Sequence, residues 1–256
     1  MQDLGKRSAH SWATSACQNE QPHVKNEILA RLPREDLAAL RRYLEPIVLK
    51  GRMVLQEPRK QLDHIHFVES GLISLRIVAP GSILETAVIG HRGAVGAPLL
   101  AIGNLSAHQS VVLVPGSAHR IPVDDLRIVM KTHPKIRETL FHYIQALTMH
   151  CAQTALCGVR HDREKRLATW LCLASDALDA NVLPVTHDYL SCVLGLRRAG
   201  VTEALNRFEE QGMIRKMRGV LQIDGRKSLE QMVCCCYKLI SSGYAHTASQ
   251  PDFIDY

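Results

Sequence analysis

Between Leu183 and Asp224 the sequence runs LPVTHDYLSCVLGLRRAGVTEALNRFEEQGMIRKMRGVLQID, and no other stretch restricts the fold as tightly. Thr186 is placed to cap a short helix whose apolar positions are Leu190, Val193 and Leu194. Gly195 supplies a sharp turn, and Leu196 tucks between this helix and the next. A second helix begins at Arg197 or Arg198 and buries Val201, Leu205 and Phe208, spaced four and three apart. Gly212 is placed to end it, because glycine accepts the left-handed backbone that closes many helices. Ile214-Arg215-Lys216-Met217, the pair Arg218-Gly219 and Val220-Leu221-Gln222-Ile223 then read as a β-hairpin. Helix, glycine turn, helix and basic hairpin in succession predict a winged helix-turn-helix.

The charges of this segment suit a nucleic-acid partner. Arg197, Arg198, Thr202, Glu203, Asn206 and Arg207 lie opposite the apolar stripe of the second helix. An arginine at the start of that helix can offer two donors to guanine O6 and N7. Glu203 can accept from cytosine N4, and Thr202 can meet a thymine methyl or a phosphate. On the hairpin, Arg215, Lys216 and Arg218 suit phosphate oxygens. The bland reading, a merely solvated face, is disfavoured because turn, hairpin and basic placement agree with one another.

Upstream the periodicity divides the chain. Residues 1–24 are polar and aperiodic, which predicts a loose tail. Asn26 can cap a helix carrying Ile28, Leu29, Leu32, Leu37, Leu40 and Leu44, split by Pro33. From Pro46 to Pro122 the period falls to two. Runs at Val54-Leu55, Ile65 to Val68, Leu72 to Val78, Ile83 to Ile89 and Val111 to Val114 are separated by Ser70-Gly71, Pro80-Gly81, Gly90 and Pro115-Gly116. Short, evenly spaced strands with such breaks predict an antiparallel roll over 25–131. A long helix follows over 132–160, with Ile136, Leu140, Ile144, Leu147 and Cys151 in a heptad-like stripe. The stripe fits a dimerisation seam, and it equally fits a helix packed on its own domain. Asp162 can cap a further helix with Leu167, Trp170, Leu171, Ala174 and Leu178 inward, opening a DNA-binding domain over 161–256. The fold class is thus α+β: an N-terminal antiparallel β-roll, a long dimerisation helix and a C-terminal winged helix-turn-helix.

Composition agrees. Apolar residues make up 46% and charged residues 22%, an ordinary globular balance, and the net charge of +6 favours an anionic partner only weakly. No apolar run reaches the roughly 18 residues of a membrane span, and Met1 to Gln21 holds no secretory apolar segment, so a cytoplasmic location is expected. The eight cysteines, Cys17, Cys151, Cys157, Cys172, Cys192 and Cys234 to Cys236, show no C-x-x-C pairing and read as reduced thiols, with neither metal nor cofactor predicted. Cys192 precedes the arginine-rich helix and is the candidate redox thiol, against the plainer reading of a half-buried core thiol. Cys234 to Cys236 are assigned to a C-terminal helix, where neighbours diverge and do not readily share one ion. His64, His66 and Glu69 form H-x-H-x-x-E on a strand, a pattern similar to cupin metal sites, but no third ligand is evident.

Several segments resemble the CRP/FNR transcription regulators: HDREKRLATWL, VLGLRRAGVTEAL and GMIRKMRGVLQI in the C-terminal part, FVESGLISL and GHRGAVGAPLL in the roll, and CCCYKLI near the end. The resemblance implies a sensor roll, a dimerisation helix and a homodimer bound to a palindromic promoter site, with RNA polymerase as a further partner. The departures matter as much. Where cyclic-AMP-binding members carry a Gly-Glu pair and a later Arg-Ser, this chain has Gly96-Ala97-Pro98-Leu99-Leu100 and Leu105-Ser106. The ribose-holding carboxylate and the phosphate-pairing arginine are missing, which argues against a cyclic nucleotide. Iron–sulfur-binding members use an N-terminal cysteine cluster, whereas only Cys17 stands there. Arg198 aligns with the family's guanine-reading arginine, but Ala199 replaces the following Glu and Glu203 a later Arg. The leading expectation is a homodimeric DNA-binding regulator, not an enzyme, acting without cyclic AMP. The alternatives are the same DNA binding gated by redox state or a small molecule in the roll and, more distantly, a cupin-like metalloprotein.

Overall fold

The computed structural model describes residues 24–102 and 105–246; Cys17 and, apart from Val24, the predicted tail lie outside the described residues. Asn26 caps α1 (Glu27–Ala30), its side-chain oxygen accepting from the Leu29 N–H at 3.2 Å. Its amide donates to the carbonyls of Val68 and Gly93 at 2.8 and 2.9 Å, so one buried side chain both caps the helix and fastens it to the strands. Pro33 separates α1 from α2 (Arg34–Arg41), as its ring requires.

The roll then follows: β1 (Glu45–Leu49), β2 (Val54–Gln56), β3 (His64–Ala79), β4 (Ser82–Ile89), β5 (Ala94–Val95), the short α3 (Leu99–Ile102) and β6 (Gln109–Pro122). All pairings are antiparallel, in the order β1-β6-β3-β4, with β2 also on β6 and β5 on β3. Two predicted breaks are not turns. Ser70-Gly71 lies inside the continuous β3 and Pro115-Gly116 inside β6, and the two meet face to face where the register shifts. A Cβ on Gly71 would stand 2.6 Å from the Val114 carbonyl oxygen, and one on Gly116 2.2 Å from that of Ser70. The glycines therefore let two long strands bulge past one another, which bends the sheet without ending it.

Helix α4 (Val123–Thr132) leads into α5 (Pro134–Arg160), whose 27 residues span about 40 Å. Here the packing corrects the expected seam. Ile136 and Leu140 are each 1% exposed and Leu147 is 3% exposed, all within the core of the chain's own roll, and Ile144 and Cys151 lean on the same core. The stripe is used within the chain, leaving almost no apolar surface on that face for a partner. The opposite face carries Phe141, Met149, Leu156 and Val159, all exposed.

The C-terminal part comprises α6 (Arg163–Leu178), β7 (Val182–Leu183), α7 (His187–Leu194), α8 (Arg198–Glu210), β8 (Ile214–Met217), β9 (Val220–Ile223), α9 (Arg226–Met232) and α10 (Cys235–His246). Asp162 caps α6 by accepting from the Lys165 N–H at 2.9 Å. Leu167, Trp170, Leu171 and Ala174 are buried in a second core, with Leu178 partly so. That core also takes in Leu72 and Val88, so the outer face of β3 and β4 is covered by the C-terminal helices. Contact there is close: a Cβ on Gly90 would lie 1.8 Å from the Ala177 carbonyl oxygen. Helix α10 runs back along α5, where the Tyr244 hydroxyl meets His150 Nδ1 at 3.0 Å. Among the described residues, no helix is long and apolar enough to cross a membrane.

The cupin-like pattern does not assemble into a metal site. His64 and His66 have ring centroids 6.4 Å apart, but the Glu69 carboxylate is taken by the Lys25 N–H at 2.7 Å and by His119 at 3.1 Å.

Candidate nucleic-acid interface

Local rules build the helix pair. Thr186 Oγ1 accepts from the Tyr189 N–H at 3.1 Å and starts α7. At its end Gly195 takes φ +59°, the Gly195 N–H bonds the Cys192 carbonyl at 3.3 Å and the Leu196 N–H bonds that of Ser191 at 2.9 Å. The same closure recurs after α8. There Gly212 has φ +70°, the Gly212 N–H bonds Glu209 and the Met213 N–H bonds Phe208, each at 2.9 Å. Between these stops α8 buries Val201, Ala204, Leu205 and Phe208 and turns Ala199, Thr202, Glu203 and Asn206 outward. Strands β8 and β9 pair from Ile214↔Ile223 to Met217↔Val220, and Gly219 at φ +74° makes the tip beside the exposed Arg218.

Arg197 precedes α8 in an extended conformation and Arg198 is its first residue; both are exposed. Most of the basic groups are held by carboxylates. Arg198 pairs with Asp188, Arg215 with Asp224 at 3.1 Å and Lys216 with Glu209 at 2.8 Å. Such exposed pairs are worth at most about 1 kcal/mol each, so phosphates can replace the carboxylates at little cost. Glu203 and Arg207 bond each other at 3.0 Å and engage the start of α6, Glu203 with Arg163 at 2.6 Å and Arg207 with Glu164 at 2.9 Å. Glu203 is thus available to a base only if it leaves two arginines. Lys216 also meets Asn206 at 2.5 Å, which ties the hairpin to α8.

Sequence reasoning missed His187, whose Nδ1 lies 3.0 Å from Thr202 Oγ1 and joins α7 to α8. Partial burial, then the nearby Lys216 and Arg198, hold its pKa below the usual imidazole value. No periodicity marks a contact of this kind. Thr186, His187, Arg198 and Gly219 line a cleft of about 160 Å³ between the helices and the hairpin tip. Cys192 is exposed on α7, as a redox thiol would need to be.

Residues 165–232 match the family model of the Crp-like helix-turn-helix domain. Among solved structures the chain is similar to a putative CRP/FNR-family transcriptional regulator from Eubacterium rectale, with 15% identity, TM-score 0.62 and coverage of 81% of this chain and 98% of that one. FixK2 from Bradyrhizobium japonicum has 15% identity and TM-score 0.65 over 75% of this chain and 98% of its own. A CRP/FNR-family regulator from Thermus thermophilus has 20% identity and TM-score 0.61 over 73% and 97%. No curated protein matches the sequence. The chain therefore carries a Crp-like helix-turn-helix domain within the fold of the CRP/FNR transcription regulators.

Proposed function

We propose that this protein is a sequence-specific transcription regulator that binds a palindromic promoter site as a homodimer, without cyclic AMP, and thereby recruits or blocks RNA polymerase. The observation that carries the reading is the exposed α8 framed by arginines at its start and a basic hairpin beside it. In such an arrangement the second helix enters the major groove. Arg197, Arg198, Thr202 and Asn206 face the base edges, while Thr186, Arg215, Lys216 and Arg218 face phosphates. Glu203 and Arg207 flank the contact from the α6 side. Dimerisation uses the outward stripe of α5, Phe141, Met149, Leu156 and Val159, which runs along the helix opposite its buried face.

Selection of bound sequences from a random DNA library, with reduced protein and no added nucleotide, tests this reading. Two inverted half-sites about one helical turn apart are expected. Absence of any enriched sequence would contradict it. A second reading, the same DNA binding gated by an effector, is favoured by a cavity of about 390 Å³ between the roll and the DNA-binding helices. Val88, Thr154, Trp170, Leu173 and Ile240 are among its lining residues, and a ligand there would touch both parts at once.

A further inference from the structure

We propose that Cys157, His161, Cys234 and Cys236 form a tetrahedral binding site for zinc(II) at the junction between the long helix and the DNA-binding domain. One ligand atom from each residue lies within 4.8 Å of all the others. Cys157 Sγ and Cys234 Sγ are 3.4 Å apart, and Cys236 Sγ is 3.7 Å from His161 Nδ1. A disulfide would need about 2.05 Å, whereas ligands around zinc with metal–sulfur bonds of about 2.3 Å stand roughly 3.8 Å from one another. Three thiols and an imidazole with no carboxylate select a borderline-soft ion over magnesium or calcium. The three cysteines are buried, and no other group of three or more potential ligands comes together among the described residues. An outer partner is also in place. Thr169 Oγ1 lies 3.2 Å from Cys234 Sγ and accepts the Cys234 N–H at 3.2 Å.

The fold explains why the sequence concealed this set. Cys157 and His161 are one helical turn apart at the end of α5, and their partners follow more than a whole domain later. Cys234 stands before α10 rather than on it, so it escapes the divergence expected of neighbours on a helix and turns inward with Cys236, while Cys235 stays exposed. Zinc displaces three thiol protons to solvent and ties the end of α5 to the start of α10, with α6 held to the site through Thr169. On the DNA-binding reading above, occupancy fixes how the helix-turn-helix is held, so the metal-free protein binds its operator more weakly.

The test uses the full chain, stripped by chelator under reductant and titrated with zinc chloride against a chromophoric chelator. One zinc per chain is expected. Cys157→Ser and Cys234→Ser each weaken binding at least about 100-fold, Thr169→Val weakens it about tenfold, and Cys192→Ser, on the exposed face of α7, leaves it unchanged. Cobalt(II) added to the unaltered chain should show thiolate charge-transfer and tetrahedral ligand-field bands, which needs no folded variant. Absence of those bands, equal loss on Cys192→Ser, or a Cys157–Cys234 disulfide in protein kept reduced would overturn the proposal. None of these readouts involves DNA, so they stand or fall separately from the regulatory reading.

Discussion

Arg218 and Lys216 sit two residues apart on the hairpin, yet the structure gives them different work. Arg218 is exposed at the tip, whereas Lys216 is held by Glu209 and Asn206 against α8. Arg218→Ala should weaken binding to all sequences alike and lower the slope of log affinity against log salt by about one. Anisotropy titrations at several salt concentrations measure this; an unchanged slope would remove Arg218 from the phosphate contacts. Lys216→Ala should instead alter base preference as well, because it frees Asn206 and the hairpin. What was legible at this scale followed local rules: the Thr186 cap and the left-handed Gly195 and Gly212 are read from single positions. The pairing of His187 with Thr202, and of Glu203 with Arg163, depends on how helices cross, which no local rule encodes.

Helix α5 shows how an element can be recognised while the partner of its apolar stripe stays open in the sequence. The heptad-like stripe of Ile136, Leu140 and Leu147 is real, but an amphipathic helix lying on its own roll and a dimer seam share that signature. The roll's apolar surface, assembled from distant strands, claimed the stronger stripe first. Leu140→Ala should therefore cost about 2–5 kcal/mol of folding stability, measured by denaturant unfolding. On the proposed homodimer, Leu156→Asp should convert dimers to monomers in sedimentation equilibrium while the far-ultraviolet circular dichroism spectrum stays unchanged. Persistent dimers in that variant would place the interface elsewhere. The strands show the same limit: Ser70-Gly71 and Pro115-Gly116 are strong turn signals in isolation, and only their meeting across β3 and β6 makes them bulges.

Across the whole molecule, the roll and the DNA-binding domain are joined through Glu85 on β4. Its carboxylate accepts from Ser74, from the Trp170 indole of α6 and from the Tyr189 hydroxyl of α7, the last at 2.7 Å. Burial holds its pKa above the usual carboxylate range, opposed by those three hydrogen bonds. Glu85→Ala leaves the Trp170 and Tyr189 donors unpaired and should cost about 1–3 kcal/mol, with a shift in tryptophan fluorescence. A raised acid pKa in the folded state gives stability that is complete below the ordinary carboxylate range and is lost as pH rises through the raised value. The buried imidazoles act in the opposite direction. Burial, then His64 and Arg120, lower the His66 pKa to about 4, and burial lowers that of His150 to about 3. Stability from these two is complete above about pH 6.5 and falls as pH drops toward 4. Thermal melts of a Glu85→Gln variant, which lacks the opposing carboxyl titration, should show that decline, and a flat profile between pH 7 and 5 in that variant would contradict the burial of neutral histidines. Whether α8 reads bases from a two-fold symmetric dimer is decided by running the DNA-library selection in parallel with the unaltered protein and Arg198→Ala. A palindrome is expected from the first and, from the second, relaxed preference at one base pair in each half-site, at a cost of about 1–3 kcal/mol. An identical palindrome from both proteins, with affinity reduced equally for every sequence, would show that Arg198 holds phosphate and that the bases are read elsewhere.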